Sequence, residues 1–151
     1  MLAPRDLPAI TAHLGGSDPA AFAREALVVS EGPTLGLSGG RVITLPTLVP
    51  RSDATGSCVF YKQGRCSIHA VSPFGCSYID AHMTDAQVEQ RTHAMYATLL
   101  ADHRGNGPYA QTCAELTSLG LVAQPRDVRQ SRLMAAIRRE FTPESWNAAR
   151  P

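Results

Sequence analysis

Cysteines are the residues in this chain best suited to chemistry. Cys58, Cys66 and Cys76 are separated by seven and nine residues, and Cys113 lies 36 residues further on. The first three stand in a stretch punctuated by Gly64, Pro73 and Gly75, a setting that suits ligation better than core filling. A thiolate binds soft and borderline metals, which excludes the oxygen-preferring cations calcium and magnesium. Four thiolates from one chain complete a tetrahedral metal site or hold an iron–sulfur cluster. Two other readings stand beside this one: buried thiols acting as small apolar residues, and a redox thiol pair.

The choice of metal follows from spacing. Thiolate zinc sites usually draw on close pairs, C-x2-4-C, and none is present. Unevenly spaced cysteines from separate elements suit a 4Fe–4S cluster, whose four ligation points are themselves apart. The expectation is a 4Fe–4S centre on Cys58, Cys66, Cys76 and Cys113, with zinc as the alternative. His69 follows Cys66 by three residues and His82 follows Cys76 by six, so either is placed to replace a thiolate or to hydrogen-bond a sulfur. His13, His93 and His103 carry no such spacing.

Around these residues the motif Cys58-Val59-Phe60-Tyr61, a short turn, Cys66-Ser67-Ile68-His69 and then Ser72-Pro73-Phe74-Gly75-Cys76 resembles the YkgJ-type cysteine-cluster family, described as zinc- or iron-chelating. The likeness runs over residues 58–80, with aromatic, isoleucine, proline and cysteine positions agreeing together. It departs from the family in three places. Residues 1–57 contain no cysteine, Ser72 stands where arginine is common, and Ser77 follows Cys76 where another arginine is frequent. The resemblance implies metal chelation. Because some members of the group are flagellin lysine methylases, it also carries an enzymatic alternative, although no methyl-donor pocket is recognisable here.

The elements that must position the thiols read as follows. Asp18-Pro19 supplies an N-cap with proline at the first helical position, opening a helix to about Val29. The N-terminal MLAPRDLPAI is broken by prolines and charges. RVITLPTLV reads as a short strand that Pro46 moves to an edge or breaks. Val59 to Tyr61 and Cys66 to Ile68 read as two strands around a turn over Lys62-Gln63-Gly64-Arg65, so that Cys58 and Cys66 converge near the open end of a hairpin. Thr84 with Gln87 forms a capping box. The helix it opens aligns Val88, Met95 and Leu99 and stops at Gly105-Asn106-Gly107-Pro108, after about 30 Å. A shorter helix over Tyr109–Ser118, closed by Gly120, returns the chain and brings Cys113 toward the other thiols. Pro125 opens another, with Val128, Leu133, Met134 and Ile137 in an apolar stripe. Its arginines at 126, 129, 132, 138 and 139 form a solvated face or a docking surface for an acidic partner.

The fold class is α+β, mostly α, in a single domain: an N-terminal helix and strands over 1–57, the cysteine loop over 58–83, and a helical half over 84–151. Thirteen arginines against one lysine point to a GC-rich bacterial genome. With a net charge of +1 there is no basic field to hold nucleic acid. No G-x4-G-K-[ST] or dinucleotide fingerprint is present, and Gly36-x2-Gly39-Gly40 supplies neither. No signal peptide or membrane span is visible, which places the chain in the cytoplasm, where clustered thiols stay reduced. The functional expectation is a small cytoplasmic iron–sulfur protein that serves a larger enzyme as an electron-transfer or accessory subunit. A zinc-stapled interaction module is the rival. No side chain offers itself as a catalytic acid or base.

Overall fold

The computed structural model describes residues 1–36, 39–71, 73–75 and 83–124. The expected helix from Pro125 and its arginines lie outside them. Within the described residues the fold is α+β and mostly helical, with four α-helices and three two-stranded antiparallel sheets. None of these helices is long and apolar enough to cross a membrane.

The chain begins with a helix that its prolines conceal. Helix α1 spans Asp6–His13, and Pro8 falls in the first turn, where a missing amide costs nothing because those amides have no intrahelical partner. Leu7, Ile10 and Thr11 form its buried side. Helix α2, Pro19–Ala26, opens as its sequence dictates: Oδ1 of Asp18 accepts the amides of Ala20 at 2.9 Å and Ala21 at 3.1 Å. It stops three residues short of Val29. Leu27–Ser30 becomes strand β1, because buried Leu27, Val28 and Val29 find a partner strand there and β-branched side chains suit a pleated surface.

Strand β2, Thr34–Gly36, pairs with β3, Val42–Thr44, in an exposed ribbon. Leu45 and Pro46 break the run as the proline requires, and β4, Thr47–Pro50, then pairs antiparallel with β1 in the register Leu27↔Pro50 to Ser30↔Thr47. The other edge of β1 is covered by the chain leaving the last described helix. Val29 donates its amide to Leu121 O at 2.9 Å and accepts that of Ala123 at 2.7 Å.

Helix α3, Asp85–Arg104, carries both halves of its capping box: Thr84 N donates to Gln87 Oε1, and Gln87 N to Thr84 Oγ1. Met95 and Leu99 of the predicted stripe are buried, and Val88 is half-buried. Helix α4, Pro108–Ser118, follows the predicted break, with Gly120 at φ +71° ending it. Tyr109 closes the core. Its hydroxyl donates to Leu2 O at 2.7 Å and accepts the Leu48 amide at 2.8 Å, so a buried phenol is satisfied on both sides while it ties the N-terminal segment to β4.

Candidate metal centre

Cys58 is delivered by a tight loop at the far end of β4. Oδ1 of Asp53 accepts the amides of Thr55 at 2.8 Å and Ser57 at 3.0 Å and the Thr55 hydroxyl at 2.6 Å, closing an Asx-type turn. The Thr55 hydroxyl, followed by the Ser57 amide, holds the Asp53 carboxyl below the usual carboxylate range. Ser52 bridges Cys58, and the Val59 amide donates to Arg51 O at 3.0 Å. Arg51 fixes this corner by donating from Nε to Leu27 O at 3.1 Å and from Nη2 to Arg24 O at 2.6 Å. The Cys58 thiol itself is exposed.

Cys66 comes from the hairpin that the sequence predicts. Strands β5, Tyr61–Lys62, and β6, Arg65–Cys66, are shorter than expected and are joined by Gln63 and Gly64 at φ +52° and +76°. Two consecutive left-handed residues give the two-residue turn whose twist matches its strands. Cys66 is half-buried against the core and pairs with Tyr61, whose amide donates to Cys58 O at 2.8 Å. A turn places the Cα atoms of residues i and i+3 within about 7 Å, and an antiparallel pair stands about 5 Å apart. The Cα atoms of Cys58 and Cys66 are thus within about 12 Å of each other, both beside Tyr61. The hairpin is pinned from behind, where His13 Nε2 hydrogen-bonds the Ser67 carbonyl at 3.1 Å and buried Phe60 stacks on Phe22.

A short 3-10 turn, His69–Val71, follows and packs against α1, placing His69 three residues past Cys66. The chain then reaches Pro73–Gly75, where Phe74 donates its amide to Asp6 Oδ2 at 2.8 Å and Gly75 donates to Met1 O at 2.9 Å. The backbone of Met1 leaves no room for a side chain at Gly75. Cys76, Ser77, Asp80 and His82 lie outside the described residues.

Cys113 is placed elsewhere. It is 2% exposed, with its Sγ 3.8 Å from Pro46 O, a carbonyl that His103 Nε2 also approaches at 2.9 Å. Burial, and then the Asp102 carboxylate, push its thiol up to about 12. Pro46 precedes β4 and Ser52 lies two residues past it, and the strand's four residues alone span roughly 13 Å. Cys113 at one end of that strand and Cys58 at the other are therefore not brought together. Among the described residues, no three His, Cys, Asp or Glu side chains group to hold a metal ion.

Of the described cysteines, Cys58 and Cys66 lie outside the fully buried core and carry the donor type a soft metal takes, whereas Cys113 is part of that core. The sequence held a sign of this, since Tyr109, Cys113 and Leu116 recur at the spacing of one buried helical face. The clamp made by Asp6 carried no such sign, because its partner lies 68 residues away. His93 is exposed on α3, remote in character from a ligand. No family model, curated protein or solved structure matches the chain.

Proposed function

We propose that the protein binds an iron–sulfur centre through the thiolates of Cys58 and Cys66, with Cys76 as the third protein ligand, and acts as an electron-transfer or accessory subunit of a larger cytoplasmic enzyme. One observation carries this reading: Tyr61 pairs with Cys66 and donates to Cys58 O, so the Cα atoms of two of the three motif cysteines lie within about 12 Å beside one hairpin. The resemblance over residues 58–80 supports the choice of Cys76. An iron–sulfur cluster supplies reversible one-electron transfer when bound, tuned by hydrogen bonds to its sulfurs and by solvent exposure.

A second reading rests on spacing. His69 follows Cys66 by three residues, so Cys58, Cys66, Cys76 and His69 offer the donor types of a Cys3His zinc site, although Cys58, Cys66 and His69 do not group closely enough to hold an ion by themselves. Such a site would staple the hairpin and its loop as an interaction module.

Anaerobic purification separates the two. Brown protein with broad absorption near about 400 nm and matching iron and sulfide supports the cluster. Colourless protein with one zinc per chain supports the module. In either case Cys58→Ser and Cys66→Ser abolish stoichiometric metal. Protein that holds neither metal, or serine variants that retain full metal, overturn the assignment.

A further inference from the structure

Helix α1 meets the chain that runs on from Cys66 at both of its own ends. At its C-terminal end, His13 Nε2 hydrogen-bonds the carbonyl of Ser67, the residue after Cys66, at 3.1 Å. At its N-terminal end, Asp6 Oδ2 accepts the amide of Phe74, two residues before Cys76, at 2.8 Å. The 3-10 turn His69–Val71, which lies between these two contacts in sequence, packs against the same helix. Gly75 then donates its amide to Met1 O at 2.9 Å, on the segment that leads into α1.

The helix is itself held fast. Leu7 and Ile10 on its inner side are buried, and Ile68 and Phe74 from the chain after Cys66 join them in one core. The Asp6 carboxylate is buried too, and its second bond, from the Ala3 amide at 2.7 Å, fixes its orientation. His13 is exposed, so its bond to Ser67 can be removed without opening the core. None of these contacts uses a thiol, so all of them can form before any ligand is engaged. Two attachments on one rigid element also fix the separation of the points they hold.

We propose that α1 is the positioning element of the metal centre, with His13 and Asp6 as its positioning residues: they set the path of the chain after Cys66 before a metal arrives. The role rests on the reading of Cys66 as a ligand. Neither side chain touches the metal. Closing a free loop around an ion costs entropy, and a chain already fixed at two points has less to lose. Apparent affinity scales with the fraction of molecules whose ligands are already placed. Removing either contact lowers that fraction, and the effect is read as weaker metal binding with every thiol intact.

Titration of the metal-free protein with Cd²⁺ alone, followed by sulfur-to-metal charge-transfer absorption, tests this role. His13→Ala should weaken binding about five-fold, the factor carried by one hydrogen bond. Asp6→Ala should weaken it about ten-fold or more, the scale on which groups that orient metal ligands act. His13→Gln keeps a donor and Asp6→Asn an acceptor, so both should recover most of the loss. A purely structural role would instead let His13→Ala shift the urea midpoint and leave the affinity of the folded protein unchanged. Hydrogen exchange supplies an arm that needs no metal: the Phe74 amide should exchange slowly in the metal-free wild type and rapidly in Asp6→Ala. Exchange at Phe74 that is rapid in the wild type and slows only with Cd²⁺ overturns the proposal. So does equal Cd²⁺ affinity in all variants while Cys66→Ser abolishes binding. Absorption that never develops in the wild type, or that Cys66→Ser leaves unchanged, sinks the metal reading itself and the role of α1 with it.

Discussion

Asp6 Oδ2 accepts the Phe74 amide at 2.8 Å, joining the start of α1 to the segment that leads into Cys76. The same oxygen accepts the Ala3 amide at 2.7 Å, so one carboxylate, 6% exposed, satisfies two buried donors from segments far apart in sequence. Asp6→Ala strands both amides. Hydrogen bonds to a charged acceptor are worth about 1.5–3 kcal/mol each, so a loss of roughly 3 kcal/mol in urea unfolding is expected. Asp6→Asn keeps an acceptor oxygen and should lose about 1 kcal/mol.

Tyr109→Phe keeps the ring and removes the hydroxyl, leaving Leu2 O without its donor and Leu48 N without its acceptor. The expected loss is about 2 kcal/mol, with the slope against denaturant unchanged because the same surface is buried. An undiminished midpoint would mean that water replaces the hydroxyl.

Cys113 makes stability depend on alkaline pH. Its folded-state pKa lies above that of an unfolded thiol, so the folded chain keeps its proton longer and stability is fully present below about pH 9. That contribution falls as pH rises toward about 12, at up to roughly 1.4 kcal/mol per pH unit. Cys113→Ala should flatten this decline in denaturant titrations from pH 8 to 11. Tyr109, raised by its own burial, adds a parallel decline at higher pH that the variant keeps.

Thiol reactivity should separate the cysteines without any metal measurement. In the metal-free folded protein, iodoacetamide should label exposed Cys58 and leave buried Cys113 unlabelled until the chain unfolds, because access and thiolate fraction both oppose reaction at Cys113. Consistently, Cys113→Ser should keep its metal while losing stability. Loss of metal with the fold retained would restore Cys113 as a ligand.

Gly32 carries φ +71°, and a Cβ there would strike Leu45 O and the Thr47 side chain. Gly32→Ala combines left-handed strain with a backbone collision. A loss of at least about 2 kcal/mol in thermal or urea unfolding is expected.

Local chemistry settled much of this molecule. The Asp18-Pro19 start, the Thr84–Gln87 capping box, the break at Pro46, the turn at Gln63-Gly64 and the stop at Gly120 each depend on side chains within a few residues of the backbone they shape. Those features were legible because a cap or a turn is a short-range event. The end of α2 was not legible. Leu27 to Val29 continue an apolar run that either structure accepts, and only pairing with Thr47–Pro50 makes them a strand. Helix α1 was hidden because a proline in a first turn reads like a breaker until the preceding residues are placed. The cysteines divide in the same way. Spacing around a hairpin put the Cα atoms of Cys58 and Cys66 within about 12 Å, since a turn and a strand pair are both short-range. For Cys113 the sequence supplied a thiol and a returning helix. Tertiary packing decided that its helical face meets Pro46 and the core, at the end of β4 opposite Cys58, because Tyr109, Cys113 and Leu116 bury their side chains together there.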